Sequence, residues 1–169
     1  MSAGRTCAAL IVAASVTSAV VLAASTAGAA GQQWNGRYTM VSHASQKDGT
    51  SVAARQPEPD FSAEFVLAST CSSGKCVATA VDGPAPTNPY VPRTQQYTWD
   101  GSNWVYVYDW VWDCFRGDGV PMEWSPARSW TVYAPQPDGS LRGTWRTDIA
   151  SGACRGSVMW PVAAYPAAR

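Results

Sequence analysis

The stretch from Trp104 to Cys114 constrains this chain more than any other. Trp104, Tyr106, Tyr108, Trp110 and Trp112 fall on alternate positions, and Cys114 continues their register. A period of two in aromatic residues, with Val105, Val107 and Val111 between them, is the pattern of a β-strand; on a helix the same residues would be scattered around every side. At the usual rise the strand is roughly 36 Å long. Apolar on both faces for most of its length, it reads as the central strand of an all-β domain. Whatever Cys114 bonds to fixes the end of that strand.

Residues 1–30 read as a secretory signal peptide: Arg5 supplies a positive start, Cys7 to Leu22 an apolar run, and Ala27-Gly28-Ala29 a cleavage site. Cys7 stands before the apolar run, which is the wrong place for a lipid-modified cysteine, and one Arg does not make a twin-arginine signal. The expectation is a single secreted β-domain over 31–169, outside the cytoplasm as a secreted or cell-envelope protein, with no stable membrane anchor after cleavage. Lys+Arg number 12 against Asp+Glu 12, so there is no basic field to attract nucleic acid or an anionic membrane.

Past the signal the cysteines are Cys71, Cys76, Cys114 and Cys154. An even set in an exported chain predicts two disulfides, for which three connectivities exist. Cys71-Ser72-Ser73-Gly74-Lys75-Cys76 is a turn with a Gly inside it, so we expect Cys71 to close on Cys76, leaving Cys114 for Cys154. The C-x4-C spacing, with no second cysteine pair of zinc type and one histidine in the chain, predicts no metal site. Nothing in the sequence implies a cofactor.

Alternation and turn residues predict strands near 34–43, 61–71, 76–82, 94–99, 104–114, 128–134, 141–149 and 154–163. Asp82-Gly83-Pro84, Asp100-Gly101, Asp138-Gly139 and Ser151-Gly152 separate them. Eight strands joined in order predict an antiparallel meander, closed as a barrel in preference to a sandwich. The even-numbered connections, 72–75, 100–103 and 135–140, are tight. The odd-numbered ones, 44–60, 83–93 and 115–127, are long and leave from the other end, where Cys114 and Cys154 also fall. One end is then a plain base and the other an elaborated rim. Tyr38, Met40, Phe65, Leu67, Tyr97, Trp99, the rings from Trp104 to Trp112, Trp130, Val132, Trp145, Val158 and Trp160 are expected to point inward. That many rings inside an eight-stranded barrel predict a filled interior.

Candidate chemistry is sparse. His43 ends the first strand at the rim, but no Gly-x-Ser-x-Gly elbow accompanies it, and Ser42 and Ser45 read as turn residues. Asp109 and Asp113 are four positions apart on one strand, roughly 13 Å, too far for either glycosidase arrangement. What remains are rim residues suited to binding: Tyr90, Trp112, Glu123, Trp124 and Trp130, whose rings offer flat amphipathic surface to sugars or apolar molecules.

Trp34-x-Gly36-x-Tyr38, the Cys-x4-Cys hairpin, Asp138-Gly139 before Gly143, and Gly152-x-Cys154 leading to Trp160-Pro161-Val162 resemble a family of small exported actinobacterial proteins of unknown function with four mature cysteines. The aromatic-x-Gly-x-aromatic opening is also similar to the first strand of calycin barrels, the group of lipocalins, fatty-acid-binding proteins and avidins. These resemblances imply export and a barrel, and bring no catalytic residues with them. The function expected is therefore non-enzymatic binding of a small apolar or glycan ligand, or of a cell-envelope partner, through the loop-rich rim. The competing expectations are a secreted hydrolase using rim carboxylates and a structural envelope protein.

Overall fold

The computed structural model describes residues 33–167, so the expected signal peptide lies outside the described residues. Eight strands follow in order: β1 (Gly36–Ser42), β2 (Phe61–Ser72), β3 (Lys75–Asp82), β4 (Gln96–Trp99), β5 (Trp104–Cys114), β6 (Glu123–Pro135), β7 (Leu141–Ile149) and β8 (Gly156–Pro166). Each pairs antiparallel with the next, and β8 returns to β1 through Met40↔Ala164, closing the barrel. This is the all-β meander that the spacing of turns predicts. The tight connections sit together at the base; Ser73 and Gly74 turn β2 into β3 with positive φ values of 50° and 78°.

Strand β6 differs from expectation in two respects. It begins at Glu123, not near 128, because its ladder with β5 runs all the way to Cys114↔Glu123. Pro126 does not break it: pairing with β7 starts only at Ala127↔Ile149, and the Pro126 carbonyl on that side accepts from the Ala150 N–H at 2.9 Å. A proline is tolerated where the neighbouring ladder has not begun. The second difference is parity. Ser125, Ala127, Ser129, Thr131 and Tyr133 face inward, so Trp130 and Val132 lie on the outer face, contrary to expectation. The cause is volume: residues directly opposite on antiparallel strands share a face, and Tyr106, Tyr108, Trp110 and Trp112 stand opposite Thr131, Ser129, Ala127 and Ser125. Large rings on one strand leave room for small side chains on the next.

One of those small residues, Ser129, also satisfies a ring. Trp110 Nε1 donates to Ser129 Oγ at 2.8 Å, Ser129 Oγ to Thr147 Oγ1 at 2.9 Å, and Thr147 Oγ1 to the Arg128 carbonyl at 3.2 Å, a buried polar chain crossing three strands. At the base Trp34, 1% exposed, plugs the barrel, its ring within 6.0 Å of those of Tyr38, Tyr97, Trp104 and Tyr133. Gly143 allows β7 to lie close to β6, since a β-carbon there would collide with the Val132 carbonyl.

Both expected disulfides are formed, Cys71–Cys76 across the β2–β3 hairpin and Cys114–Cys154 at the loop-rich end. Segment 43–60 crosses that end and is fastened along its length. His43 N–H bonds the Pro161 carbonyl at 3.0 Å, Asp48 bridges Met159, and Ser51 Oγ donates to the Cys154 carbonyl at 2.6 Å. Gln56 Nε2 then reaches the Phe115 carbonyl at 2.9 Å. Its 3₁₀ turn Val52–Arg55 packs on β8 and buries Ala53 and Ala54.

Candidate functional site: a cavity inside the barrel

The interior is not filled. A cavity of about 290 Å³ lies among the inner faces of β1, β2 and β4 to β8, with Val91 and Gln95 of loop 83–95 on its border. Of the rings expected inward, Phe65, Tyr97, Tyr106, Tyr108, Trp145 and Trp160 line it, but they do not close up: small residues at Ser42, Ala63 and Thr131 share the lining and leave space. The wall is thinnest beside β4, which pairs with β5 only at Thr98↔Val105 and Trp99↔Trp104. Loop 83–95 covers the rest of that β5 edge, held by Asn88 Nδ2 on the Val111 carbonyl at 3.0 Å and on Asp113 Oδ1 at 3.1 Å.

The cavity walls are flat and uncharged. Trp145 stacks on Trp160 with centroids 3.9 Å apart and 22° between planes, and Tyr106 stacks on Tyr108 at 4.6 Å and 21°. Trp145 Nε1 donates to the Tyr108 hydroxyl at 3.2 Å. No Asp, Glu, Lys, Arg or His is among the lining residues. Burial pushes the phenols of Tyr97, Tyr108 and Tyr133 above the ordinary range and that of Tyr106 up to about 12, so all four stay neutral at physiological pH.

The rim residues divide among four places. Tyr90 and Trp124 meet in an edge-to-face contact at 5.3 Å, both about half exposed. Trp124 stands on β6 opposite Asp113 and is not a loop residue. Glu123 accepts from the Ala153 N–H at 3.3 Å and pairs with Arg116 at 3.8 Å, beside the Cys114–Cys154 link. Trp112 is on the inner face, against Trp110 and Trp145. Trp130 lies mid-strand on the outer wall, away from the loops, between Val107 and Arg146. The topology thus brings Tyr90 against Trp124, sets Glu123 on the opposite face of β6 beside the disulfide, and separates Trp112 and Trp130 from them.

His43 Nδ1 is 3.0 Å from Asp60 Oδ2, with Ser45 nearby, yet the trio is not a nucleophilic triad. The Ser45 hydroxyl donates to Asp60 Oδ1 at 2.6 Å and not to the imidazole, which therefore cannot take its proton. Asp109 pairs with Arg128 on the outer face and Asp113 with Asn88. Among the described residues no group of three or more His, Cys, Asp or Glu could hold a metal ion.

Sequence reasoning placed most of the cavity's rings inward but did not foresee the void or the contributions of Ser42, Phe61, Val91, Gln95 and Thr131. The available signal was the run of small residues at alternate positions of β6.

Fold and cavity together define a closed meander barrel with a small, aromatic, uncharged interior cup. The chain belongs to the family described as the PknI serine/threonine-protein kinase sensor domain, which matches residues 31–168. Among solved structures it is similar to the monomer form of the M. tuberculosis PknI sensor domain, with a TM-score of 0.59 and 18% identity over 82% of this chain and 90% of that one. The dimer form of the same domain aligns with a TM-score of 0.49 and 21% identity over 66% of this chain and 73% of that one. No significant relative is found among curated proteins. The family shown is thus that of a kinase sensor domain.

Proposed function

We propose that this domain is an extracytoplasmic sensor module that binds a small molecule inside its barrel and acts without catalysis of its own. The observation that carries the reading is the cavity of about 290 Å³, left open in a barrel whose base is plugged by Trp34 and whose rim is tied by Cys114–Cys154. Membership of a sensor-domain family supports a receiving role, and two disulfides support an oxidising location, secreted or in the cell envelope. In this reading loop 83–95 has a part in both events, since Val91 and Gln95 border the cavity while Tyr90 rests on Trp124 outside.

A second reading is favoured by the exposure of Tyr90 and Trp124, 54% and 49%. Two half-exposed rings at the rim form a platform on which a glycan or an envelope partner could stack. A thermal-shift screen with small neutral molecules and oligosaccharides separates the two, using Ala63→Trp to fill the cavity and Trp124→Ala to remove the platform. Stabilisation lost in Ala63→Trp and kept in Trp124→Ala supports the cavity. The reverse pattern assigns binding to the rim.

A further inference from the structure

We propose that the cavity selects an uncharged ligand: a compact, flat ring system carrying one neutral polar group, refused when that group is ionised. The proposal rests on the reading that the cavity is the ligand site, and adds to it the chemistry of what enters.

Three observations carry it. The first is the lining, which contains eight aromatic side chains and no formal charge. A carboxylate or ammonium group brought inside would lose its hydration and find no counter-ion, a penalty that hydrogen bonds from neutral hydroxyls offset only in part. Charges adjacent in sequence to the lining are already engaged: Asp60 is held by His43 and Ser45, Glu64 by Arg37 at 3.4 Å, Asp109 by Arg128 at 3.4 Å and Arg146 by Asp148 at 2.8 Å. Arg93, on loop 83–95, is exposed and is not a lining residue. Cation–π attraction from the ring faces favours an ammonium over a carboxylate, but no acidic group joins the rings to complete a cationic site.

The second is shape and size. The stacked pairs Trp145–Trp160 and Tyr106–Tyr108 present flat walls. A volume of about 290 Å³ is at the low edge of small-molecule pockets and admits one or two fused rings rather than a long chain or an oligosaccharide. The third is a polar handle. Ser42, Thr131 and Gln95 are lining residues, and among the described residues Ser42 Oγ, Thr131 Oγ1 and Gln95 Nε2 make no hydrogen bond, so they are the groups that can satisfy one hydroxyl or carbonyl there.

The test uses one ring system in three charge states: 2-naphthalenemethanol, 2-naphthoate and 2-naphthylmethylammonium, titrated into the purified protein by calorimetry with saturation-transfer NMR as a second readout. The alcohol is expected to bind, with the ammonium and the carboxylate each weaker by about a hundredfold or more, the affinity equivalent of an unpaired buried charge. Ala63→Trp, with Ser42→Phe as a second filling variant and circular dichroism to confirm folding, should abolish alcohol binding. Carboxylate or ammonium binding as tight as the alcohol, and lost in a folded filling variant, overturns the charge selection while leaving the cavity as the site. A naphthoate affinity that disappears in Arg93→Gln does the same, by showing that the loop cation reaches inside. Alcohol binding untouched by either filling variant overturns the cavity reading as well. Absence of binding by all three overturns the proposed ligand class.

Discussion

Ser51 shows how much a single buried hydroxyl holds in place. It is shut away from solvent, donates to the Cys154 carbonyl at 2.6 Å, and accepts from the Ala53 N–H at 3.1 Å, so one side chain caps a 3₁₀ turn and ties it to the disulfide. Ser51→Ala leaves both backbone groups without that partner in a dry site and should cost about 1–3 kcal/mol, seen as a lower urea midpoint with unchanged slope. Asp60 makes a different prediction. The Ser45 hydroxyl first, then His43 and the Ser45 N–H, hold its carboxyl at about 2 against an ordinary 3.8. A folded pKa below the unfolded one means stability that is present above the ordinary carboxylate range and lost as the pH falls toward the folded value. Asp60→Asn should flatten the acid side of the stability profile between those two values, and the carboxyl chemical shift of Asp60 should titrate near the lower one. Neither residue stood out from sequence, because Ser51 and Asp60 are turn-type residues whose partners lie elsewhere in the chain.

Among the elements, the two disulfides do unequal work. Cys71–Cys76 closes a hairpin of sequence separation 5 that is already paired, whereas Cys114–Cys154, at separation 40, joins the end of β5 to the segment that enters β8. Chain-entropy arithmetic gives roughly 2 kcal/mol for the first and roughly 4 kcal/mol for the second. Paired Cys→Ser replacement should therefore lower the denaturation midpoint about twice as much at the long link. That pairing was legible because turn spacing alone assigns strand ends. The start of β6 was not: Pro126 reads as a loop residue until one sees that β7 does not yet flank it. Its inward face was legible in principle, since the run of rings from Tyr106 to Trp112 demands small neighbours and β6 offers Ser125, Ala127 and Ser129 at alternate positions.

At the scale of the whole barrel, the interior phenols act as a group. Tyr97, Tyr106, Tyr108 and Tyr133 have pKa values raised by burial, so in the alkaline range the unfolded chain ionises first while the folded barrel keeps its protons. A raised folded pKa means that stability is intact below the ordinary value of 10.0 and falls as the pH climbs toward the folded values, which for Tyr106 is about 12. Phenolate absorbance of the buried four should appear only well into the alkaline range, together with loss of the near-ultraviolet circular dichroism. A neutral ligand in the cavity should shift that late transition to still higher pH, because occupancy favours the folded state.

Alternation and turn chemistry are local, and they sufficed for the eight strands, their order, the two disulfides and the end at which Tyr90 meets Trp124. Each of these depends on residues near one another in the chain, or on counting strand directions. The cavity depends on something else. Whether side chains from seven of the strands fill a barrel or leave about 290 Å³ among them is a balance of volumes between residues far apart in sequence, such as Ala63 and Thr131. The parity of β6 follows the same rule, since Trp130 is as apolar as any core ring and lies outside only because β5 had already taken the interior space. Periodicity states which side chains share a face; only closure of the barrel shows how much room that face leaves.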